Sequence, residues 1–170
     1  LWDGKVFAHG INPFKFSPEE INQYKSLKIQ DPVYFHSHYG ENDQSELAFL
    51  NDLKWKSDIA LKYMERINHP EVPTIYPPLA QYVFRFSQQI KSDSLFTLRI
   101  IFMAFDLMGM VFIILSLRAL NLNQNFSLVY FWSPLMIKET YNSTHLDIIG
   151  ISCLCAVSYT HLRAHETDSY

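Results

Sequence analysis

The sequence has few cysteines and no excess of positive charge. Its 170 residues include only two cysteines, Cys153 and Cys155, which excludes a scaffold built on disulfides. Lys and Arg number 14 against 17 Asp and Glu, and the resulting net charge of -3 gives no reason to expect nucleic-acid binding. The sequence also contains no Walker loop, Rossmann glycine fingerprint, nucleophile elbow or CxxC motif.

Apolar residues are unevenly distributed along the chain. Hydrophobic residues make up 48% of it, which excludes a disordered polymer. Residues 1–93 are polar and rich in proline, whereas residues 95–156 are mostly apolar. This asymmetry predicts an integral membrane protein with a large extramembrane region.

The longest apolar run is Ile100 to Leu117, and Asp106 is its only charged residue. A helix of that length covers about 27 Å, which is close to the thickness of the hydrocarbon core of a bilayer. The run therefore predicts a membrane-spanning helix. Because a carboxylate is unfavourable in lipid, we expect Asp106 to face neighbouring helices and to be hydrogen-bonded, with a proton or ion relay as the alternative.

The rest of the apolar half predicts further membrane segments. We expect one full helix at about 96–118, a broken helix at about 126–138 and a truncated helix at about 145–156. The broken segment is too short to span a bilayer and contains a proline. The predicted fold class is all-α, with multi-pass integral membrane helices and an extramembrane segment of helices and loops.

Residues 1–94 are predicted to form an external loop region with amphipathic interfacial helices. A first helix should end at Gly10, and Ser17-Pro18-Glu19-Glu20 is a capping box that starts a second helix running to about Leu27. We expect a solvated loop over residues 28–45, a helix over 46–67 and extended chain from His69 to Pro78. An amphipathic helix should follow to about Lys91, with an aromatic content that suits a membrane interface.

Residues 157–170 resemble the translation of an adapter used in sequencing libraries, and we expect this tail to be an artefact. The tail contains His161, His165 and Glu166, whose spacing could bind zinc, but we expect no metal site there. The chain also reads as a fragment at Leu1. We therefore base the functional interpretation on residues 1–156.

Three segments together resemble the GT-C class of multi-pass membrane glycosyltransferases, especially bacterial mannosyltransferase-like proteins that use polyprenol-phosphate-mannose. The segments are LWDGKVFAHGINPFKFSPEE, INHPEVPTIYPPLAQ and FWSPLMIKETYNSTHLD. The resemblance implies an enzyme of the bacterial cytoplasmic (inner) membrane. Such an enzyme transfers a hexose of the mannose type from a polyprenyl-phosphate donor to a lipid or glycan acceptor on the outer face.

The resemblance also implies which parts of the enzyme this chain holds. Residues up to about 94 would form most of the first external loop, over the active site. A membrane helix and an acidic motif would precede Leu1, so we do not expect this fragment alone to be active. The implied partners are the sugar donor, the acceptor and membrane lipids. No cofactor is predicted, and a requirement for a divalent metal is left open.

Sugar transfer from a lipid phosphate defines the candidate site residues. The acceptor hydroxyl needs a carboxylate base, for which Asp3 is the candidate. The departing phosphate needs a cation, since negative charge accumulates on it. The candidates for binding phosphate or sugar are Arg66, His69 and Tyr76, and those for a polar wall are Glu139, His145 and Asp147. Local structural roles are the alternative for each of these residues.

Two other classes of function stay open at the level of sequence. A transporter would use Asp106 and the polar break after Pro134 as a substrate path. A membrane protein without catalytic activity would need no carboxylate near the membrane surface.

Overall fold

The computed structural model describes residues 1–167, with side chains as far as residue 164. Every regular element in this range is helical, which confirms the all-α prediction. The chain divides into two compact units, the first spanning Leu1–Ser94 and the second beginning at Leu95. The His161, His165 and Glu166 pattern of the tail extends outside the described side chains.

Six α-helices make up the first unit. They are α1 (Trp2–Ala8), α2 (Pro18–Gln30), α3 (Pro32–His38), α4 (Glu41–Leu53), α5 (Asp58–Glu65) and α6 (Pro78–Ile90). Four of them, α1 to α4, bury one hydrophobic core with Met64 of α5. Its most deeply buried large side chains are Ile21, Phe35, Leu47, Leu50 and Leu53.

The predicted end of the first helix and the predicted start of the second are confirmed. Gly10 follows α1 with φ of 82°, a left-handed conformation that glycine adopts without strain. The capping box is present, because the Ser17 hydroxyl accepts from the Glu20 amide and the Ser17 amide donates to the Glu20 carboxylate. α2 continues three residues past the predicted end, to Gln30.

The loop predicted for residues 28–45 is wrong, because this segment contains α3 and the start of α4. Asp31 caps α3 by accepting from the Tyr34 amide at 2.9 Å, and Pro32 takes the first helical position. α4 begins after Gly40 and carries acidic residues in its first turn, which suits the helix dipole. His36 and His38 therefore lie on a helix, where two positions of separation turn their side chains to different sides.

The helix predicted over residues 46–67 is divided in two. α4 ends at Leu53, and a 3-10 turn, Lys54–Lys56, connects it to α5. The Ser57 hydroxyl accepts from the Ala60 amide and so starts a new helix at Asp58. The segment predicted to be extended from His69 to Pro78 contains no helix before Pro78, but it turns at residues 70 and 71 and bends at Val72 and Tyr76. α6 occupies nearly the predicted range.

α1 and α6 pack closely at one glycine. A Cβ atom on Gly4 would lie 2.6 Å from both the carbonyl carbon and the carbonyl oxygen of Phe84 in α6. Backbone atoms in a helix cannot move aside without disturbing the helix, so only glycine fits at this position. The contact fixes α1, and with it Asp3, against α6.

We expect Gly4→Ala to lower the free energy of unfolding of the first unit by about 3 kcal/mol, a value at the upper end for overpacking. Urea unfolding in detergent measures this through the fluorescence of Trp2, which is 5% exposed, in a variant that lacks the exposed Trp55 and Trp132. The matched control is Gly40→Ala, where the nearest atom would be 3.9 Å away. Equal losses from the two substitutions would contradict close packing at Gly4.

The second unit is built on a long apolar helix, α7 (Leu95–Ala119). Its mean hydropathy is 2.5 over the most apolar window, of which only 17% is buried. This helix confirms the full helix that was predicted at about 96–118. Within residues 1–167, α7 is the one helix long and apolar enough to cross a membrane.

The predicted broken helix is a series of short pieces. These are a 3-10 turn (Gln124–Phe126), α8 (Ser127–Phe131), α9 (Pro134–Ile137) and a π-helical turn (Lys138–Ser143). Thr144 ends the series in a left-handed conformation with φ of 58°. The last helix, α10 (Asp147–Thr167), packs along α7, and the Ser152 hydroxyl donates to the Phe105 carbonyl.

The prediction that the last helix stops at about residue 156 is wrong. α10 runs to Thr167 and therefore includes eleven residues of the tail. The reason is local, since residues 157–167 contain neither glycine nor proline. A helix that has already formed propagates through such residues at little cost.

Candidate functional site

A cavity of about 310 Å³ lies in the first unit and is lined by four of the predicted site residues. Asp3 comes from α1, Arg66 from the end of α5, and His69 and Tyr76 from the segment that precedes α6. The volume is in the range of cavities that hold small ligands. The fold thus brings together residues that are up to 73 positions apart in the sequence, the separation of Asp3 and Tyr76.

Asp3 is half-buried and is supported from α6. The side-chain amide of Gln81 lies 3.5 Å from Asp3 Oδ2 and donates to the Thr74 hydroxyl at 2.8 Å. Gln81 is 1% exposed, so its amide has a fixed position. Asp3 therefore offers the cavity a half-buried carboxylate with a buried amide as its neighbour.

The other three residues form the exposed side of the cavity. Arg66 follows the last residue of α5 and is exposed, so its guanidinium is accessible to a ligand. His69 Nδ1 lies 3.1 Å from Glu71 Oε1, and both side chains are exposed. The pKa of Glu71 is lowered by a hydrogen bond from its own backbone amide and, second, by His69. Tyr76 packs edge-on against Phe84 with 5.5 Å between ring centroids.

A carboxylate, a guanidinium and an imidazole at one cavity are suited to a defined chemistry. The carboxylate can accept a proton from a hydroxyl group, as a general base does. The guanidinium can bind a phosphate through two parallel hydrogen bonds. The combination fits a reaction between a hydroxyl group and a phosphorylated ligand.

The remaining predicted site residues lie in the second unit. His145 Nε2 is 3.3 Å from Glu139 Oε2, and the His145 amide donates to the Glu139 carbonyl at 3.0 Å. Lys138 Nζ is 3.7 Å from the other oxygen of Glu139. Asp147 is exposed and opens α10. Glu139 and His145 thus form one polar pair around the π-helical turn.

Asp106 is buried within the second unit and holds the short pieces against α7. Tyr130 of α8 donates to Oδ1 at 2.8 Å, and Tyr141 of the π-helical turn donates to Oδ2 at 2.7 Å. The predicted hydrogen bonding of Asp106 to neighbouring helices is confirmed. The two tyrosines were not predicted as its partners, since sequence spacing carries no information about contacts 24 and 35 residues apart.

We expect Tyr141→Phe to lower the stability of the second unit by about 1 kcal/mol, the typical contribution of one hydrogen bond. Thermal unfolding in detergent, followed by circular dichroism, measures the loss. The same substitution should cost less in an Asp106→Asn background, where an amide nitrogen that cannot accept a hydrogen bond replaces one of the two carboxyl oxygens. Equal losses in both backgrounds would show that Asp106 is not the partner that matters.

Metal ligands are not clustered in the part of the chain that the structure describes. No group of three or more His, Cys, Asp or Glu side chains there could hold a metal ion. The approach of Gln81 to Asp3 and the hydrogen bond from Gln81 to Thr74 were missed from the sequence. The sequence offered one indication of their role, since both residues belong to the segment INHPEVPTIYPPLAQ.

Comparison with known proteins gives no relative. No protein-family model, curated protein or solved structure matches this chain. Two of the three segments that carry the resemblance nevertheless meet in space, because residues 1–20 and 67–81 supply every residue lining the cavity except Tyr63 and Arg66. The two segments were identified independently of any contact between them, so their shared cavity is the strongest observation bearing on function.

Proposed function

We propose that this chain is part of a membrane glycosyltransferase. It transfers a hexose of the mannose type from a polyprenyl-phosphate donor to a lipid or glycan acceptor on the outer face of the membrane. The observation that carries the proposal is the cavity that Asp3 and Arg66 both line, walled by two segments that resemble the GT-C class. A base and a phosphate-binding cation are the two groups that this reaction requires.

The proposed reaction is a single displacement at the sugar. The acceptor hydroxyl oxygen attacks the anomeric carbon of the donor, and the bond from that carbon to the phosphate oxygen breaks. The bonding electron pair leaves with the phosphate, and Asp3 takes the proton of the hydroxyl. Arg66 stabilises the charge on the polyprenyl phosphate that departs. The products are the glycosylated acceptor and polyprenyl phosphate.

The proposal places the enzyme in the bacterial cytoplasmic (inner) membrane as a multi-pass protein. α7 supports membrane insertion, because its 25 residues extend about 37 Å and exceed the hydrocarbon core of about 30 Å. Most of its apolar surface is exposed, as lipid contact requires. A multi-pass protein needs further membrane-spanning helices in addition to α7, and these are part of the proposal.

The experiment that tests the proposal is sugar transfer by the full-length protein in membranes. Radiolabelled polyprenyl-phosphate hexoses are supplied, and we expect the label to move into a lipid or glycan fraction. Membranes without the protein serve as the blank. Failure to transfer from several such donors by a protein shown to be folded would reject the enzyme.

Arg66 offers a more specific test of phosphate binding. We expect Arg66→Gln to raise the KM for the donor about tenfold or more, since a hydrogen bond to a charged group contributes about 1.5 to 3 kcal/mol. Lys62→Gln is the matched control, because Lys62 is an exposed cation of α5, four residues before Arg66, that does not line the cavity. Equal effects of both substitutions on KM would indicate general attraction of the donor by positive charge.

A further inference from the structure

The polarity of α6 is inverted relative to that of an ordinary surface helix. Its buried positions are Ala80, Gln81, Val83, Phe84, Ser87 and Gln88, so half of them are polar. Its outer face carries Leu79, Tyr82, Phe86 and Ile90, which are 54%, 60%, 55% and 57% exposed. A surface helix in water normally turns its apolar side inward. The outer face of α6 is therefore the more apolar one.

Two of the three buried polar side chains of α6, those of Gln81 and Gln88, bond to other parts of the first unit, whereas Ser87 Oγ and Gln81 Oε1 have no hydrogen-bond partner among the described residues. Gln81 donates to Thr74 and approaches Asp3. Gln88 donates to the Leu1 carbonyl at 3.3 Å and accepts from the Asp93 amide at 3.0 Å. The inner face is thus fixed by specific hydrogen bonds. Rotating the helix to bury its apolar side would break these bonds.

The four outer residues form one continuous stripe. At 100° per residue, positions 79, 82, 86 and 90 fall within an arc of about 80° on the helix. Full burial of a side chain of this size is favourable by about 1.5 to 3 kcal/mol relative to exposure. An exposed stripe of four such residues marks a surface that binds another apolar phase.

The segment that connects α6 to α7 indicates that this apolar phase is a membrane. Asp93 is joined to Lys5 of α1 by a buried ion pair at 2.6 Å, so the end of the α6 segment is fixed to the first unit. α7 begins two residues after Asp93. From Ile90 to Leu95 the extended chain can reach no more than about 18 Å. If α7 crosses a membrane, the last turn of α6 must lie close to the surface of that membrane.

Cationic and aromatic side chains beside the stripe fit the same environment. Tyr82 belongs to a residue type that is enriched at headgroup level, and Phe86 to a type found on the apolar face of interfacial helices. Arg85 flanks the stripe, with its guanidinium 4.8 Å from the Phe7 ring centroid, and the exposed Lys91 follows the helix. Both cations are suited to attract anionic lipid headgroups.

We infer that the outer face of α6, formed by Leu79, Tyr82, Phe86 and Ile90, lies in the interface of a lipid bilayer. The inference depends on α7 crossing the membrane and is independent of any sugar chemistry. In this arrangement the apolar side of α6 penetrates about 5 to 10 Å into the boundary between headgroups and acyl chains. Its polar side holds the first unit on the membrane surface.

Depth measurements on the whole chain test this inference. The protein, with Cys153→Ser and Cys155→Ser, is reconstituted into vesicles of phosphatidylcholine and phosphatidylglycerol. Single cysteines at Phe86→Cys or Ile90→Cys carry a fluorescent NBD label, and phosphatidylcholine with a doxyl group on the acyl chain is the quencher. The control within the first unit is Asn42→Cys, an exposed position in the acidic first turn of α4. The control for lipid contact is Val111→Cys in α7.

We expect the labels at 86 and 90 to be quenched several-fold more than the label at 42, and nearly as much as the label at 111. Quenching at 86 and 90 no greater than at 42, with strong quenching at 111, would overturn the inference while leaving α7 in the membrane. Labels at 86 and 90 shielded from aqueous iodide but not quenched by doxyl lipid would also overturn it, in favour of a protein partner. Weak quenching at 111 would remove both α7 and α6 from lipid. A protein that transfers no sugar but shows the expected depth pattern would reject the enzyme and keep this inference.

Discussion

Asp3→Asn is expected to lower kcat for sugar transfer by the full-length protein by about 10²- to 10⁴-fold, the contribution typical of a general base. The amide has nearly the same volume as the carboxylate but cannot take the proton of the acceptor hydroxyl. Because the substitution acts on the proton transfer rather than on substrate binding, KM for the donor should change little. Transfer from a radiolabelled donor in membranes, measured over a range of donor concentrations, separates the two constants.

A purely structural role for Asp3 predicts a different result. In that case the substitution would disturb the contact with Gln81 and destabilise α1, and the fluorescence of the buried Trp2 would shift together with the activity. The matched control is Asp52→Asn, which removes an exposed carboxylate from α4 of the same unit. An unchanged kcat for Asp3→Asn would remove this residue from the site and leave the base to be found elsewhere.

Short sequence signals predicted some helix starts correctly and missed others. Ser17-Pro18 was recognised as a helix start because Glu20 completes a capping box. Asp31-Pro32 has the same pattern, because a side-chain acceptor precedes a proline, but we predicted a loop there instead of the start of α3. The polar residues around Gly40 favoured that error, because a helix that packs only part of one face, as α3 does around Phe35, has little apolar periodicity.

Contacts between distant segments could not be predicted from spacing. The resemblance selected residues 1–20 and 67–81, and the choice of Asp3, His69 and Tyr76 followed from it. Asp3 lines the cavity from α1, and α1 packs against α6 at Gly4, where there is no space for a side chain. A single glycine in a heptapeptide helix gives no such signal. The inverted polarity of α6 was likewise visible only once its buried face was known.

Lys5→Met is expected to lower the free energy of unfolding of the first unit by about 3 to 5 kcal/mol, the range for breaking a buried ion pair by removing one partner. Lys5 Nζ lies 2.6 Å from Asp93 Oδ2, and the two side chains are only 7% and 12% exposed. Methionine fills most of the space of the lysine stem. The loss therefore arises mainly from the Asp93 carboxylate, which stays 12% exposed and loses its ion-pair partner.

A second substitution, at Asp93, tests whether the carboxylate left without its partner causes the loss of stability. In Lys5→Met with Asp93→Asn the uncompensated charge is gone, so much of the lost stability should return. Asparagine also tolerates the left-handed backbone of position 93, where φ is 58°. Urea unfolding of both variants, followed through Trp2, measures the difference. A double variant no more stable than Lys5→Met alone would contradict the explanation.

Lys15→Met is the matched control for burial, since Lys15 also pairs with carboxylates, at 2.6 Å from Asp43 and 2.5 Å from Glu46. These three side chains are about one third exposed, so water screens the charges that remain when the lysine is removed. The expected loss is below about 1 kcal/mol. Similar losses at positions 5 and 15 would mean that burial of the Lys5–Asp93 pair does not decide its contribution. The end of α6 would then be joined to α1 mainly by the hydrogen bonds of Gln88.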